Sequence, residues 1–437
     1  LALLPAAALL GLFAFGHRPH WIFLLIVGLI PFWGIRQIAG VNLQWPLGLL
    51  LLIILLLYHL PRKRLPEHIP SSFLALFIGL LGVFSLSALN SSFPEVAWEN
   101  VRWMAASLAF IAFGFVLIDR DMYLHSLPKV LLLTITVGSL AAVLDFVLDF
   151  PFIPPRGAGF ALTSHPNNLA QMAIFAIPLA VHELVYQTNF RSRLFTIFLL
   201  AMNVAAVAIS FSRGGFLTAI VIGVILAYER LENFRVRRTG VILLTALIAV
   251  TVVAVITPKA YWERQYSLIE WQDRALHRRT AYIAIAWDSF LSAPLLGTGP
   301  GTFSEIYAYS QRAQEFRSER ESQQRRHAHN GYLELLVGTG IFGLLLFLAI
   351  LLMAFMKFSA AKRRFRRLGN RELSSLTGAY RTSLIALIMY LGIGSVVYHK
   401  FLLFSLALAH AAWWLSTVEN ETDEEHASPE VTRSTGK

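Results

Sequence analysis

Apolar runs close to the ~20 residues needed to cross a bilayer recur along most of this chain and leave it few possible folds. They fall at about 20–37, 43–60, 71–89, 101–118, 128–149, 167–187, 194–211, 213–228, 239–257, 331–356, 379–397 and 400–417. A shorter run over 1–16 reads equally as a separate span or as half of a hairpin with 20–37. Of 437 residues, 56% are hydrophobic and 14% charged, where soluble domains are nearer half apolar and a quarter charged. The expected fold is all-α: a polytopic integral membrane protein with about 12 transmembrane helices and one long extracytoplasmic loop containing short helices. The first apolar run leads into further spans, not into a soluble domain, so no cleavable signal peptide is expected. The start at Leu1 instead of Met suggests a short preceding piece.

Orientation follows from the loops. PRKRLPEH (61–68), DRDMYLHSLPK (119–129), QTNFRSR (187–193), ERLENFRVRR (229–238) and KFSAAKRRFRRLGNRE (357–372) fall on one side and are rich in Lys and Arg. That side is expected to be cytoplasmic. The opposite short loops, NSSFPEVAWEN (90–100), 151–166, SFSRGG (210–215) and 398–400, carry few basic residues. The net charge of +11 is thereby absorbed by loop asymmetry, and no nucleic acid is called for as a partner. The chain has no cysteine, which excludes disulfides, thiolate chemistry and Cys-ligated metal.

Four parts are expected: an N-terminal transmembrane bundle over 1–257, an extracytoplasmic loop over 258–331, C-terminal transmembrane helices over 332–417, and a cytoplasmic tail of disordered composition over 418–437. The loop is too long to be a mere connection. Within it, RRTAYIAIAWDSFL (278–291) repeats apolar residues at helical spacing. SAPLLGTGPGTF (292–303) is a Pro/Gly turn, and FSEIYAYSQRAQEFRSERESQQRR (303–326) reads as a polar helix.

Charges at a membrane edge are costly and are therefore functional candidates. Arg213 lies in ISFSRGGFL, between two spans joined by almost no loop. Its glycines would allow a tight turn or the close approach of a ligand, and snorkelling at the interface is the plainer alternative. Arg156 and His165 lie in IPPRGAGFALTSHPNNLA (153–170), ahead of Asn167 and Asn168. For the asparagines, helix capping outweighs chemistry; for Arg156 and His165 the two readings balance. Arg278 and Arg279 open the first loop helix. Guanidinium forks suit diphosphate, although a solvated helix start is the commoner use of such a pair.

The last candidate is RRHAHNGYLELLVGTGIFG (325–343). His327 and His329 could form a metal pair, but no third ligand stands at suitable spacing and Arg325 and Arg326 would repel a cation, so no metal is expected. What remains is a histidine acting as a general base or hydrogen-bond acceptor, with arginines neutralising an anionic substrate. Asn330 leads into the span, and Glu334, one turn on, is placed to orient a histidine or pair with an arginine. Gly338, Gly340 and Gly343 read as small residues for close helix packing.

Taken in order on one membrane face, the HAHN stretch followed by G-x-G-I-x-G, the PLLGTGPGTF turn after an Arg-led helix, SHPNNLA and SRGG resemble the O-antigen ligase and polymerase superfamily, over roughly 156–343. The resemblance implies a membrane glycosyltransferase of the GT-C type in the bacterial inner membrane, with its active site on the periplasmic face. Its donor would be a glycan on undecaprenyl diphosphate. Its acceptor hydroxyl would be on lipid A–core in a ligase, another lipid-linked glycan in a polymerase, or a protein serine or threonine in a third branch. No cofactor or metal is implied. His329 matches the superfamily's essential histidine. Arg213 matches the arginine proposed to hold the donor diphosphate, Arg279 or Arg278 the arginine opening the loop helix, and Arg156 is a weaker fourth match; His327 falls at a variable position. From another class, a transporter of lipid-linked sugars would show internal repeats and mid-bilayer charges; no clear repeat is evident, and the suspicious groups gather on one face.

Overall fold

A computed structural model describes residues 19–32, 37–38, 41–42, 44–56, 71–148, 166–231, 274–314, 325–394 and 400–427. Over these the chain is a helical bundle. Its helices are α1 (Pro19–Gly28), α2 (Gln44–Ile54), α3 (Ser71–Leu89), α4 (Pro94–Leu117), α5 (Leu127–Leu148, entered through a π turn at Met122–Ser126), α6 (Pro166–Tyr186), α7 (Phe190–Ile209) and α8 (Arg213–Leu231). Beyond the loop helices α9 (Arg274–Ser292), α10 (Phe303–Tyr309) and α11 (Gln311–Gln314) come α12 (Gly331–Arg367), α13 (Arg371–Leu391) and α14 (Lys400–Ala427). A two-residue antiparallel pairing, β1 (Gln37–Ile38) with β2 (Val41–Asn42), is the sole strand structure among the described residues.

Seven helices are long and apolar enough to cross a membrane by length and composition among the described residues. The sequence-based count of about 12 is therefore met only in part. Each expected span except 239–257, which lies outside the described residues together with 1–16, coincides with a helix. α1 and α2 are too short to qualify. α13 carries Arg371, Glu372 and Arg381 within its length, and α8 carries Arg213 and Glu229.

Of the expected tail 418–437, the described residues 418–427 are helical as the end of α14. Glu419 pairs with Arg120 at 2.9 Å, so the acidic stretch starts as a helix tied to the basic loop 119–129 on the same side. The polar helix expected over 303–326 is broken at Ser310 into α10 and α11, and the Phe303 and Tyr307 of α10 are buried.

The main core is one large apolar cluster in which α6, α13 and α14 are the most enclosed, with Phe175, Phe401 and Phe404 wholly buried; two smaller clusters adjoin it, one around Leu169 and Ile222 and one in the loop around Tyr282. Leu345, Leu348 and Leu352 on α12, and Leu194 and Phe198 on α7, face outward. That inversion is expected where the surroundings are lipid. At the basic end the helices are clamped by charge. Glu229 of α8 accepts from Lys362 of α12 at 2.7 Å and Arg381 of α13 at 2.6 Å. Lys357 lies 3.8 Å from the Trp413 ring centroid of α14.

Candidate active site at the polar end of the bundle

At the other end the structure draws the sequence-marked motifs around the last turn of α13. Tyr390 is buried there. Its hydroxyl donates to the Asn167 carbonyl at the start of α6 (2.7 Å) and lies 3.3 Å from Ser212 Oγ at the start of α8. Ser212 Oγ accepts from Gly215 N–H at 3.1 Å, the bond of a helix N-cap, which leaves Arg213 as the first residue of α8. Gly214 and Gly215 do not make the turn itself. A Cβ on Gly214 would meet the Ile393 side chain at 2.5 Å, and one on Gly215 would meet Ala170 Cβ at 2.8 Å. The glycines let the start of α8 pack flat on α6 and on the turn after α13.

α12 starts against the same turn from the other side. Tyr332 Oη donates to the Ile388 carbonyl at 2.8 Å, and a Cβ on Gly331 would meet Leu391 at 3.2 Å. Asn330 caps α12, accepting from Tyr332 N–H (3.0 Å) and Leu333 N–H (3.1 Å). Glu334 reaches back past the cap: its Oε1 accepts from Ala328 N–H at 2.7 Å and stands 3.3 Å from His327 Nδ1. Of the two partners open to Glu334, it takes the histidine. That hydrogen bond holds the His327 imidazole above its usual range, with burial opposing and the charge of Glu334 assisting. Ala328 is buried among Tyr282, Phe303 and Val337. Between these fixed points His329 sits at φ +50°, a left-handed conformation uncommon for any side chain but glycine's. His329 is exposed, with its ring centroid 6.4 Å from that of Tyr282.

The loop helices back this turn. Arg325 pairs with the buried Glu305 of α10 at 3.1 Å, so this arginine, read as a neutraliser of substrate charge, ties the HAHN turn to α10. Tyr307, two residues further on, is buried, and its hydroxyl finds no hydrogen-bond partner among the described residues. Burial and the neighbouring Tyr282 raise its pKa, while Arg326 and Arg278 oppose them. Sequence reading missed Tyr307, because an aromatic in a polar segment carries no mark of its partners. On α9, Arg278 shares a helical face with Tyr282, Ile285 and Ser289, which are buried, whereas Arg279 is exposed on the outer face.

The Pro/Gly turn explains Gly338 and Gly340 of α12, and not as helix-packing residues, whereas a Cβ on Gly343 would meet the Thr339 side chain of its own helix. α12 is kinked at Gly340 (φ +63°, ψ −164°). The kink frees backbone groups that the segment 294–299 satisfies. Thr298 N–H and Gly299 N–H donate to the Val337 and Gly338 carbonyls at 2.9 and 3.0 Å, and Ile341 N–H donates to the Pro294 carbonyl at 2.9 Å. Gly297 (φ +73°) lies so close that a Cβ would meet Val337 and Gly338 backbone at 2.5 Å. Ser87 Oγ of α3 also donates to the Gly338 carbonyl at 2.6 Å, and Ser91 Oγ to the Thr298 carbonyl at 2.8 Å. Irregular backbone is tolerated at membrane depth only where protein covers it like this.

The structure thus gathers Arg213, Asn167, His327, His329, Asn330, Glu334 and Arg278 at one end, around α13 and the foot of α12. Arg156 and His165 lie outside the described residues. Among the described residues no three His, Asp or Glu side chains group as a metal site. A helical membrane bundle that gathers histidine and arginine residues at the end away from the Glu229 clamp is the class these observations define. Residues 170–348 match the family model described as O-antigen ligase, which supports a place for the chain in the O-antigen ligase superfamily. The match takes in SRGG, the Pro/Gly turn and HAHN. No curated protein is significantly similar to the chain.

Proposed function

We propose that this protein is a metal-independent, GT-C-type membrane glycosyltransferase. It moves a glycan from undecaprenyl diphosphate to an acceptor hydroxyl at the periplasmic face of the bacterial inner membrane. O-antigen ligation to lipid A–core is the leading reaction. Polymerisation onto a second lipid-linked glycan is the alternative, because the same residues would serve it. The observation that carries the reading is the convergence of SRGG, HAHN and the Arg-led helix around the last turn of α13 and the foot of α12, all inside the matched segment.

In this reading the acceptor oxygen attacks the anomeric carbon as the bond from that carbon to the diphosphate oxygen breaks. Undecaprenyl diphosphate leaves with the electron pair. His329 takes the hydroxyl proton or holds the acceptor in place for its loss. Arg213, at the positive end of α8, and Arg278 stabilise charge growing on the leaving diphosphate, the term that preorganised donors supply best. Glu334, Asn330 and His327 hold the turn that presents His329.

The test is a transfer assay with purified protein, undecaprenyl-diphosphate glycan, lipid A–core and EDTA. Glycosylated core from wild type, with losses of at least ~100-fold in His329→Ala and Arg213→Ala, is expected. Lengthened lipid-linked glycan with unmodified core would identify a polymerase. Absence of either product from a competent donor would refute both the ligase and the polymerase readings and leave a protein acceptor or transport of lipid-linked sugars.

A further inference from the structure

Helix α9 has two unlike faces. One buries Tyr282, Ile285, Ala286 and Ser289 against α10 and α12. On the other, Ile283, Trp287 and Leu291 follow one another at four-residue spacing and are 54%, 55% and 60% exposed, with Leu295 continuing the row at 57%. A water-facing helix side is normally polar. Here the polar edge is elsewhere: Asp288 pairs with Arg312 of α11 at 3.2 Å, both more than half exposed. Arg279, one turn before Ile283, heads the apolar row.

What covers this row is indicated by its continuation. Pro294 and Leu295 are hydrogen-bonded by carbonyl to Ile341 and Phe342 N–H of α12. From there Phe342, Leu345 and Leu352 run down the outer side of a helix long and apolar enough to span a membrane, each about half exposed. The stripe of α9 and the lipid face of α12 form one apolar surface. Depth agrees. Ser87, two residues before the end of the spanning helix α3, is level with Gly338. Ile341 and Phe342 are three to four residues further in, about 5 Å at the helical rise. Trp287, exposed in the same row two turns before Leu295, is the residue type enriched at membrane–water interfaces.

We propose that α9 and the turn after it are seated in the bilayer leaflet at this end, with Ile283, Trp287, Leu291 and Leu295 against acyl chains and Arg279 at the level of the lipid phosphates. The adjacent arginines then divide their work: Arg278 turns toward the HAHN turn and Arg279 toward the membrane surface. The helix that carries Tyr282 to His329 is held by the bilayer itself.

The absence of native cysteine makes the test direct. Leu291→Cys and Leu295→Cys are nitroxide-labelled in the full chain and reconstituted in phosphatidylethanolamine–phosphatidylglycerol vesicles. Leu345→Cys serves as lipid reference and Gln311→Cys as water reference. Collision with oxygen should exceed collision with a nickel chelate severalfold at 291 and 295, as at 345. A nickel response like that at 311 overturns the proposal. So does poor access to both reagents, the signature of a covering protein. Ile283→Cys gives the same reading if the Leu295 variant does not assemble.

Discussion

Gly340→Ala tests the feature on which the polar end most depends. Gly340 combines φ +63° with ψ −164°, a region open in practice to glycine alone and costing other residues about 1–3 kcal/mol. An added Cβ would also meet the Leu295 carbonyl group, with Leu296 N at 2.7 Å. These are backbone atoms that cannot swing aside, so overpacking adds about 1–3 kcal/mol. Together the substitution should cost about 2–6 kcal/mol, or be relieved by expulsion of the turn. Expulsion is self-limiting, since it strands the Val337 and Gly338 carbonyls that Thr298 and Gly299 serve in surroundings that offer no water.

Hydrogen exchange separates the outcomes locally and thermal unfolding reports the total. In wild type, peptides spanning 294–303 and 337–343 should exchange slowly. In Gly340→Ala both should accelerate, with a lower thermal midpoint and lost transferase activity. Gly82→Ala on α3 is the matched control: nothing lies within 4 Å of its added Cβ, and alanine in a helix gains up to about 1 kcal/mol over glycine. Unchanged exchange at 294–303 together with a wild-type midpoint in Gly340→Ala would refute the account of the kink.

Three further outcomes are expected. Glu229→Gln leaves Lys362 and Arg381 without their shared carboxylate and should cost up to about 3–5 kcal/mol, read as a fall in thermal midpoint that Gly82→Ala does not show. Because the bond from Glu334 raises the His327 pKa, its stabilising charge is present in full below the unfolded value near ~6.5 and is lost as pH rises through the higher folded value. The midpoint should therefore fall modestly from pH 6 to pH 8, the histidine being largely exposed, and Glu334→Gln should abolish that difference. Arg278→Ala should reduce transfer far more than Arg279→Ala in detergent, where no bilayer surface rewards Arg279.

The spans and the end carrying the site were legible because both rest on local composition. Long apolar runs announce helices, and Arg213 or HAHN at the edge of one is costly enough to stand out. Partnerships across the chain were not legible. Nothing near Arg381 indicates that Glu229, 152 positions away, neutralises it. Gly338 and Gly340 of GTGIFG carry the pattern of helix packing, and only the docked turn from 294–299 shows that they serve a break in the helix. The doubled Arg278-Arg279 was ambiguous as a motif and is separated by the 100° of one helical residue once the buried face of α9 is known. Arg325 was given to substrate because Glu305 could not be seen beside it.

The backbone of His329 links structure to chemistry. Its φ of +50° costs a non-glycine residue about 1–2 kcal/mol. The conformation is imposed from both sides: by Ala328, buried and bonded to Glu334, and by Asn330, committed to capping α12. If the side chain served stability, removing it should hurt; if it serves the reaction, glycine should suit the site better. His329→Gly relieves the strain and adds about 0.5–1 kcal/mol of chain entropy to the cost of folding, so the balance lies between no change and a gain of about 1.5 kcal/mol. The expected protein is as stable as wild type or more so, retains slow exchange over 325–334, and does not transfer glycan. A loss of stability comparable to that of Gly340→Ala would make His329 a structural residue and remove the catalytic role assigned to it.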